Sequence, residues 1–208
     1  MKIAVINEVS AMARNPDILA ALKPTGHEIF NLGMNPEKQQ GELTYIHTGL
    51  MAAIVLNSGA CDMVVGGCGT GLGFMLSSMQ YPGVFTGLIE TPLDAWLFSQ
   101  INGGNCISLA LNKGYGWAAD INLKYIFERL FQDPIGQGYP PHRQESQRQS
   151  RDVLARISLA VHRPITEAAS ALPKPYLREV LEFTGFGEFM NKTPSAKELF
   201  EKLSAIPQ

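Results

Sequence analysis

The chain has 208 residues, of which 45% are hydrophobic and 17% are charged, and its formal net charge is −2. This balance excludes a disordered chain and is typical of a globular protein with one good core and at most a small appendage. No basic excess is present to neutralise phosphate groups, so we expect neither nucleic acid nor a membrane surface as a partner. The composition favours a small molecule as the ligand.

The odd number and scattered positions of the cysteines, Cys61, Cys68 and Cys106, argue against a disulfide framework and indicate a reducing compartment. The apolar run over residues 3–6 is too short for the core of a signal peptide. No segment approaches ~18 uninterrupted apolar residues, the length that a transmembrane helix needs. We therefore expect a cytoplasmic protein.

Strand and helix signals alternate five times along the first 131 residues. Apolar runs predict strands over residues 2–6, 27–32, 63–66, 83–89 and 105–111. Apolar periodicity and helix-start signals predict helices over residues 15–23, 44–57, 74–79, from 91 to a stop at 103–104, and over 118–131. The starts at Asn15 and Thr91 are the clearest, because each residue is a good cap that is followed by a proline and an acid.

This alternation predicts an α/β fold, a doubly wound (Rossmann-like) five-stranded parallel sheet with helices on both faces. In such a sheet, ligands bind beyond the carboxyl ends of the strands. We expect residues 1–133 to form this domain, since prolines, glycines and polar residues follow Asp133. Residues 134–208 are expected to form a linker and a C-terminal helical extension that packs on the core or on a partner subunit.

The most informative stretch is residues 62–73, in which an apolar strand runs into a glycine loop that contains Cys68. Glycines lack a Cβ, so successive backbone N–H groups of the loop can point at an anion, and the following helix adds its positive end. The same donors favour the thiolate form of a cysteine among them. The loop therefore predicts a site that combines a thiol with an oxyanion cradle.

Two other interpretations of the loop remain open at this stage. A simple strand-to-helix turn would need only one or two glycines. A dinucleotide-binding turn is suggested by Glu90 after the next strand, but Leu72 or Phe74 occupies the third glycine position of that motif. A P-loop is excluded because no Gly-Lys-Ser or Gly-Lys-Thr follows, and the four histidines lack metal-ligand spacing. We expect no metal and no cofactor.

The segment from Gly67 to Gly73, Gly-Cys-Gly-Thr-Gly-Leu-Gly, resembles the signature of the ribose 5-phosphate isomerase B and galactose 6-phosphate isomerase family. The resemblance extends over about residues 1–131 and includes the segment 45–47. It implies an aldose–ketose isomerase in which a cysteine moves a proton between C1 and C2 of an open-chain sugar phosphate, through an enediolate. It also implies a homodimer with an active site shared between subunits, and no cofactor.

The resemblance implies a role for twelve residues. The catalytic residues would be Cys68, as the base, and Thr70. The backbone cradle for the enediolate oxygens would consist of Gly69, Gly71, Leu72 and Gly73. Substrate-binding residues would be Glu8, Tyr45, Asn102, Lys113, Arg143 and Arg148, and Arg151 competes with the two other arginines for the anion.

The sequence departs from the family pattern at positions that bear on the substrate. Glu8 and Val9 replace an Asp-His pair, and Ile101 replaces the histidine that assists ring opening. Lys113 replaces an arginine, which keeps the charge and loses bidentate geometry. An open-chain sugar phosphate, such as a four-carbon aldose phosphorylated on its terminal oxygen, needs no ring opening. The alternative function is a non-catalytic sugar-phosphate-binding protein on the same fold.

Overall fold

The structure, a computed structural model of the chain, describes residues 1–37 and 41–207. Five strands form one sheet in the order β2-β1-β3-β5-β4, and every neighbouring pair is parallel. The predicted fold class is therefore confirmed. The strands are β1 (Lys2–Asn7), β2 (Glu28–Asn31), β3 (Met63–Cys68), β4 (Thr86–Ile89) and β5 (Cys106–Ala110).

Ten α-helices are present in the described residues, and half of them follow the sheet in sequence. The first five are α1 (Asn15–Leu22), α2 (Tyr45–Asn57), α3 (Leu72–Ser78), α4 (Pro92–Leu97) and α5 (Ala119–Leu130). The C-terminal five are α6 (Gln144–Val161), α7 (Ile165–Ser170), α8 (Lys174–Leu181), α9 (Phe186–Lys192) and α10 (Pro194–Ser204). Within residues 1–37 and 41–207, no helix is both long enough and apolar enough to cross a membrane.

Helices cover both faces of the sheet because the central strands alternate buried side chains between two cores. In β1, Ile3 and Val5 pack with α1, α4 and α5, whereas Ala4 and Ile6 pack with α2 and α3. The β3 strand alternates in the same way and has no exposed residue. Burial on both faces explains why these strands are visible in the sequence as continuous apolar runs.

The C-terminal helices pack against α2. This helix is apolar on nearly every side, and all residues from His47 to Val55 are buried. One side of α2 contacts α3 and the sheet, and other sides contact α7, α8 and α10. Phe186 and Leu203 of the extension are fully buried in the core that α2 shares. The extension thus completes the burial of a helix that the sheet alone would leave half covered.

The β3 strand is two residues longer than predicted, because it also includes Gly67 and Cys68. Gly66 and Gly67 both pair with β1 and β5. A Cβ at Gly66 would lie 2.0 Å from Cζ of Phe74, and one at Gly67 would lie 2.5 Å from the carbonyl oxygen of Leu109. These two positions are glycine because α3 and β5 occupy the space that a side chain would need.

We expect Gly66→Ala to destabilise the protein by about 1–3 kcal/mol, because the new methyl group overlaps the fully buried ring of Phe74. Gly116→Ala is the matched control, since no atom lies within 4 Å of its Cβ position. Urea unfolding of both variants measures the difference. Equal midpoints for the two variants would contradict the close approach of α3 to β3.

Candidate active site

The candidate site lies at the carboxyl ends of β1 and β3, which are neighbours in the sheet. Asn7 is in register with Gly67, so the residues that follow, Glu8 and Cys68, emerge side by side. Gly71 then turns the chain into α3 with a φ of 76°, in the left-handed region that favours glycine. The sheet topology therefore brings the predicted carboxylate and the predicted thiol to one edge.

Cys68 is the last residue of β3 and is almost fully buried, with 5% of its surface exposed. Its Sγ lies 3.9 Å from the Thr70 hydroxyl. Its carbonyl oxygen accepts hydrogen bonds from Gly71 N–H at 3.3 Å and from Leu111 N–H at 3.0 Å. These bonds fix the thiol between the loop and the end of β5.

The other two cysteines differ from Cys68 in their surroundings. Burial raises the pKa of Cys61 to about 12, with a further contribution from the Asp62 charge. Burial raises the pKa of Cys106 to about 12 as well. Both thiols stay protonated near neutral pH and behave as small apolar side chains. Cys68 is the cysteine at the carboxyl edge of the sheet.

The backbone N–H groups of the loop divide into two sets. Three of the predicted cradle donors bind within the protein: Gly69 N–H to Ser10 Oγ at 3.0 Å, Gly71 N–H to Cys68 O, and Leu72 N–H to Thr70 Oγ1 at 3.3 Å. Across residues 1–37 and 41–207, no acceptor is assigned to N–H of Thr70, Gly73 or Phe74. These last three amides are therefore the donors that a ligand can use.

Glu8 is held against the loop by Ser10. The Ser10 hydroxyl donates to Glu8 Oε1 while accepting from Gly69 N–H, and the Asn112 side chain donates to Ser10 O at 2.8 Å. Glu8 is buried, with 6% of its residue surface exposed. Ser10 and Asn112 were absent from the sequence prediction, because only the short 3₁₀ turn over Val9–Arg14 brings Ser10 back to the loop.

Tyr45 reaches the loop from the start of α2. Its ring atoms Cγ and Cδ1 lie 3.0 and 3.1 Å from the position that a Cβ of Gly73 would occupy. Tyr45 as a residue is 45% exposed, so part of it packs beside Gly73 while the rest faces solvent. This contact explains why Gly73 has no side chain.

The predicted anion-binding residues are not gathered at the loop within one chain. Lys113 N–H donates to Gly69 O at 2.8 Å, but its Nζ pairs with Glu90 at 2.7 Å. Arg148 pairs with Glu145 on the exposed side of α6, at 2.8 Å. Arg143 lies in an exposed 3₁₀ turn at the start of α6.

Asn102 lies in a separate cavity of about 640 Å³ beside the edge strand β4. Ile101 and Leu154 also line this cavity, and none of the residues 66–73 does. The nearby Arg151 donates to the carbonyl oxygens of Ile101, at 3.0 Å, and Gly136, at 2.6 Å. Arg151 therefore holds the linker against the turn that carries Asn102, a role that sequence reasoning could not separate from anion binding.

No group of three or more His, Cys, Asp or Glu side chains within residues 1–37 and 41–207 is arranged to hold a metal ion. The chemistry available at the loop is thus that of one thiol, one carboxylate, two hydroxyl groups and three backbone N–H donors. This set can remove a proton and stabilise an oxyanion.

We expect a small alkylating reagent at pH 8 to modify Cys68 in the native protein before it modifies Cys61 or Cys106. A pKa of about 12 leaves each of the latter with a thiolate fraction on the order of 10⁻⁴ at this pH. Peptide mass spectrometry after timed alkylation measures the three rates, with urea-unfolded protein as the reference. Faster labelling of Cys61 or Cys106 than of Cys68 would contradict the assignment.

Comparison with known proteins places the chain in one family. The family model described as Ribose/Galactose Isomerase matches residues 3–130. No curated protein matches the sequence. Among solved structures, a ribose-5-phosphate isomerase from Vibrio parahaemolyticus is 40% identical, with a TM-score of 0.93, and the match covers 100% of this chain and 99% of that chain.

Two further structures are informative. A 4-deoxy-L-threo-5-hexosulose-uronate ketol-isomerase complexed with a tartrate is 39% identical, with a TM-score of 0.93 and 99% coverage of both chains. The type B ribose 5-phosphate isomerase of Trypanosoma brucei shares the fold at 18% identity and a TM-score of 0.62, over 75% of this chain and 97% of that chain. The resemblance noted in the glycine loop is confirmed, and the chain belongs to the ribose/galactose isomerase family.

Proposed function

We propose that the protein is an aldose–ketose isomerase that acts on an open-chain sugar derivative with a terminal anion. The observation that carries this proposal is the loop itself: Cys68 stands beside the free N–H groups of Thr70, Gly73 and Phe74. Membership of a family of sugar isomerases supports the same reaction class.

In the proposed reaction, the Cys68 thiolate removes the proton from C2 of the aldose and returns it to C1. The negative charge that develops on the sugar oxygens is stabilised by the free N–H groups of the loop, because charge-assisted hydrogen bonds strengthen as the oxyanion forms. Glu8, held by Ser10, is the proposed contact for a sugar hydroxyl, and Tyr45 is the proposed wall of the site. The reaction needs no redox cofactor because the substrate and the product are isomers.

An open-chain substrate is proposed because Ile101 replaces the residue that would assist ring opening. One relative acts on 4-deoxy-L-threo-5-hexosulose uronate. This compound has no hydroxyl at C4 and a ketone at C5, so neither atom supplies the hydroxyl that closes a furanose or pyranose ring from C1. It presents an aldehyde without assistance. We propose an open-chain uronate of this kind as the substrate.

A short open-chain sugar phosphate is the second candidate. The observation in its favour is the relative that is a ribose-5-phosphate isomerase and is equally similar over the whole chain. Against it stands the ion pairing of Lys113 with Glu90 and of Arg148 with Glu145, which reduces the positive charge available to a phosphate dianion. A carboxylate carries less charge than a phosphate and needs fewer cations.

We further propose a homodimer in which the partner subunit completes the site. Exposed apolar residues on α3 and α6 flank the cavity that contains Asn102, and a two-fold partner that covers this face could bring Asn102, Arg143 and Arg148 toward the loop of the other chain. Met79, the residue after α3, and Leu154 of α6 line the same cavity. The exposed apolar residues are Leu72, Leu76, Met79, Val153, Leu154, Ile157 and Val161.

We expect Cys68→Ala to lower kcat by at least about 100-fold, since a general base contributes roughly 10²–10⁴ in rate. Cys61→Ala is the matched control and should keep the wild-type rate, because that thiol is buried and protonated. Isomerisation and deuterium uptake in D₂O, followed by NMR, are measured for the hexosulose uronate, erythrose 4-phosphate and ribose 5-phosphate.

Four outcomes separate the possibilities. Preferred turnover of the uronate supports the favoured substrate, and preferred turnover of erythrose 4-phosphate supports the second. Saturable binding without turnover of any compound would favour a non-catalytic sugar-binding protein. Wild-type rates in Cys68→Ala would show that another group is the base.

We expect the wild-type protein to sediment as a dimer and Ile157→Asp to sediment as a monomer, because the variant buries a charge in the proposed interface. Leu159→Asp is the control, since at 100° per residue Leu159 projects from another side of α6 and is more exposed. Analytical ultracentrifugation over a concentration series measures both. A monomeric wild type would overturn the shared site.

A further inference from the structure

A histidine that the isomerase chemistry does not use connects the C-terminal extension to α2. His47 lies in the first turn of α2 and is 4% exposed. Its Nε2 is 2.7 Å from Oε2 of Glu179, a residue of α8 that follows 132 positions later. The ring of Tyr176, also in α8, lies 4.9 Å from the His47 ring. The extension therefore contacts one buried side chain of the core domain, through a hydrogen bond and a ring contact.

The hydrogen bonds of His47 define its tautomer. Thr44, the residue before α2, donates its backbone N–H to Nδ1 of His47 at 3.0 Å. Because Nδ1 must accept this bond, Nε2 carries the hydrogen and donates it to Glu179. The ring thus satisfies the N–H at the start of the helix in the way that a capping-box side chain does. Glu179 fixes the orientation in which it can do so.

The start of α2 in turn contacts the candidate active site. Tyr45, which lies between Thr44 and His47, packs its ring on Gly73 of the loop. One turn further, Gly49 allows α3 to approach so closely that a Cβ there would lie 2.2 Å from Ser77 Oγ. The loop and α3, the helix that follows it, therefore pack against the first two turns of α2.

We propose that Glu179 is a positioning residue for the candidate active site: by orienting His47 it fixes the start of α2, and with it Tyr45 against the glycine loop. The proposal rests on the proposed function in one respect: the statement that the loop positioned by Tyr45 is an active site. Within residues 1–37 and 41–207, the side-chain hydrogen bond of Glu179 is to His47 and none joins it to the loop, so its effect passes through His47 and Tyr45. Its side chain is 50% exposed, and removing it leaves no buried charge in the core.

Three variants test the proposal. Glu179→Ala removes the acceptor of the Nε2–H bond, whereas Glu179→Gln keeps an acceptor oxygen. Glu182→Ala is the matched control, because Glu182 follows α8, lines a small cavity of about 280 Å³ together with Glu179, and is exposed. Amide hydrogen exchange is measured over residues 44–50 and 69–75, together with kcat and KM for the best substrate.

We expect Glu179→Ala to raise exchange in both segments by about tenfold, the factor that corresponds to one lost hydrogen bond to a charged group. Glu179→Gln should restore most of the protection, and Glu182→Ala should not differ from wild type. With a turned-over substrate, Glu179→Ala should raise KM and lower kcat, each about threefold or more, and Glu179→Gln should restore both.

Two results would overturn the proposal. In one, exchange rises over residues 44–50 while residues 69–75 keep wild-type protection, so that the contact anchors only the extension. In the other, exchange rises equally throughout the chain, which is the signature of a global loss of stability. If the wild type turned over no substrate, the proposed function would be wrong. The hydrogen-exchange experiment would still test the coupling between Glu179 and the loop, because it does not depend on turnover.

Discussion

The central constraint of this structure is the position of β3, which pairs with β1 on one side and with β5 on the other. Hydrogen bonds to its own carbonyl oxygen fix Cys68, the last residue of the strand. Cys68 O accepts one N–H from within the loop and one from Leu111 after β5. These backbone bonds hold the thiol at the carboxyl edge of the sheet, and they do not involve the Cys68 side chain. The side chain is free for chemistry because the backbone carries the structural role.

The five strands and the start of α4 could be predicted because their causes are local, whereas Asn15 is the first residue of α1 and not its cap, since its side chain bonds to Asn7 and Asn31. Strands buried on both faces are continuous apolar runs, and the cap, proline and acid from Thr91 to Asp94 form the hydrogen bonds that the residue types imply. The turn of π-helix over Phe98–Asn102 was not predictable, since no residue type there demands it. Gly67 was left outside the predicted strand because its close neighbour, Leu109, lies on another strand.

The composition of the candidate site was only partly visible for the same reason. A glycine loop with a cysteine predicts an oxyanion cradle, but which N–H groups remain free depends on where Ser10 and Thr70 place their hydroxyls. His47 was noted only as part of a family segment. Its partner, Glu179, lies in a stretch whose pattern indicates nothing beyond an exposed helix face, and only the packing of α8 on α2 joins the two.

The proposed replacement of a ring-opening group by Ile101 would have a consequence for substrate choice. An enzyme without that group draws on the open-chain form that is already present in solution, so its kcat/KM for a cyclising sugar is reduced by the fraction of molecules that are open. A sugar that cannot close a ring suffers no such reduction. Under the proposed function, selection among anionic sugars would therefore depend on how much of each sugar is open-chain in water, and the apolar Ile101 beside Asn102 would be the residue responsible for it.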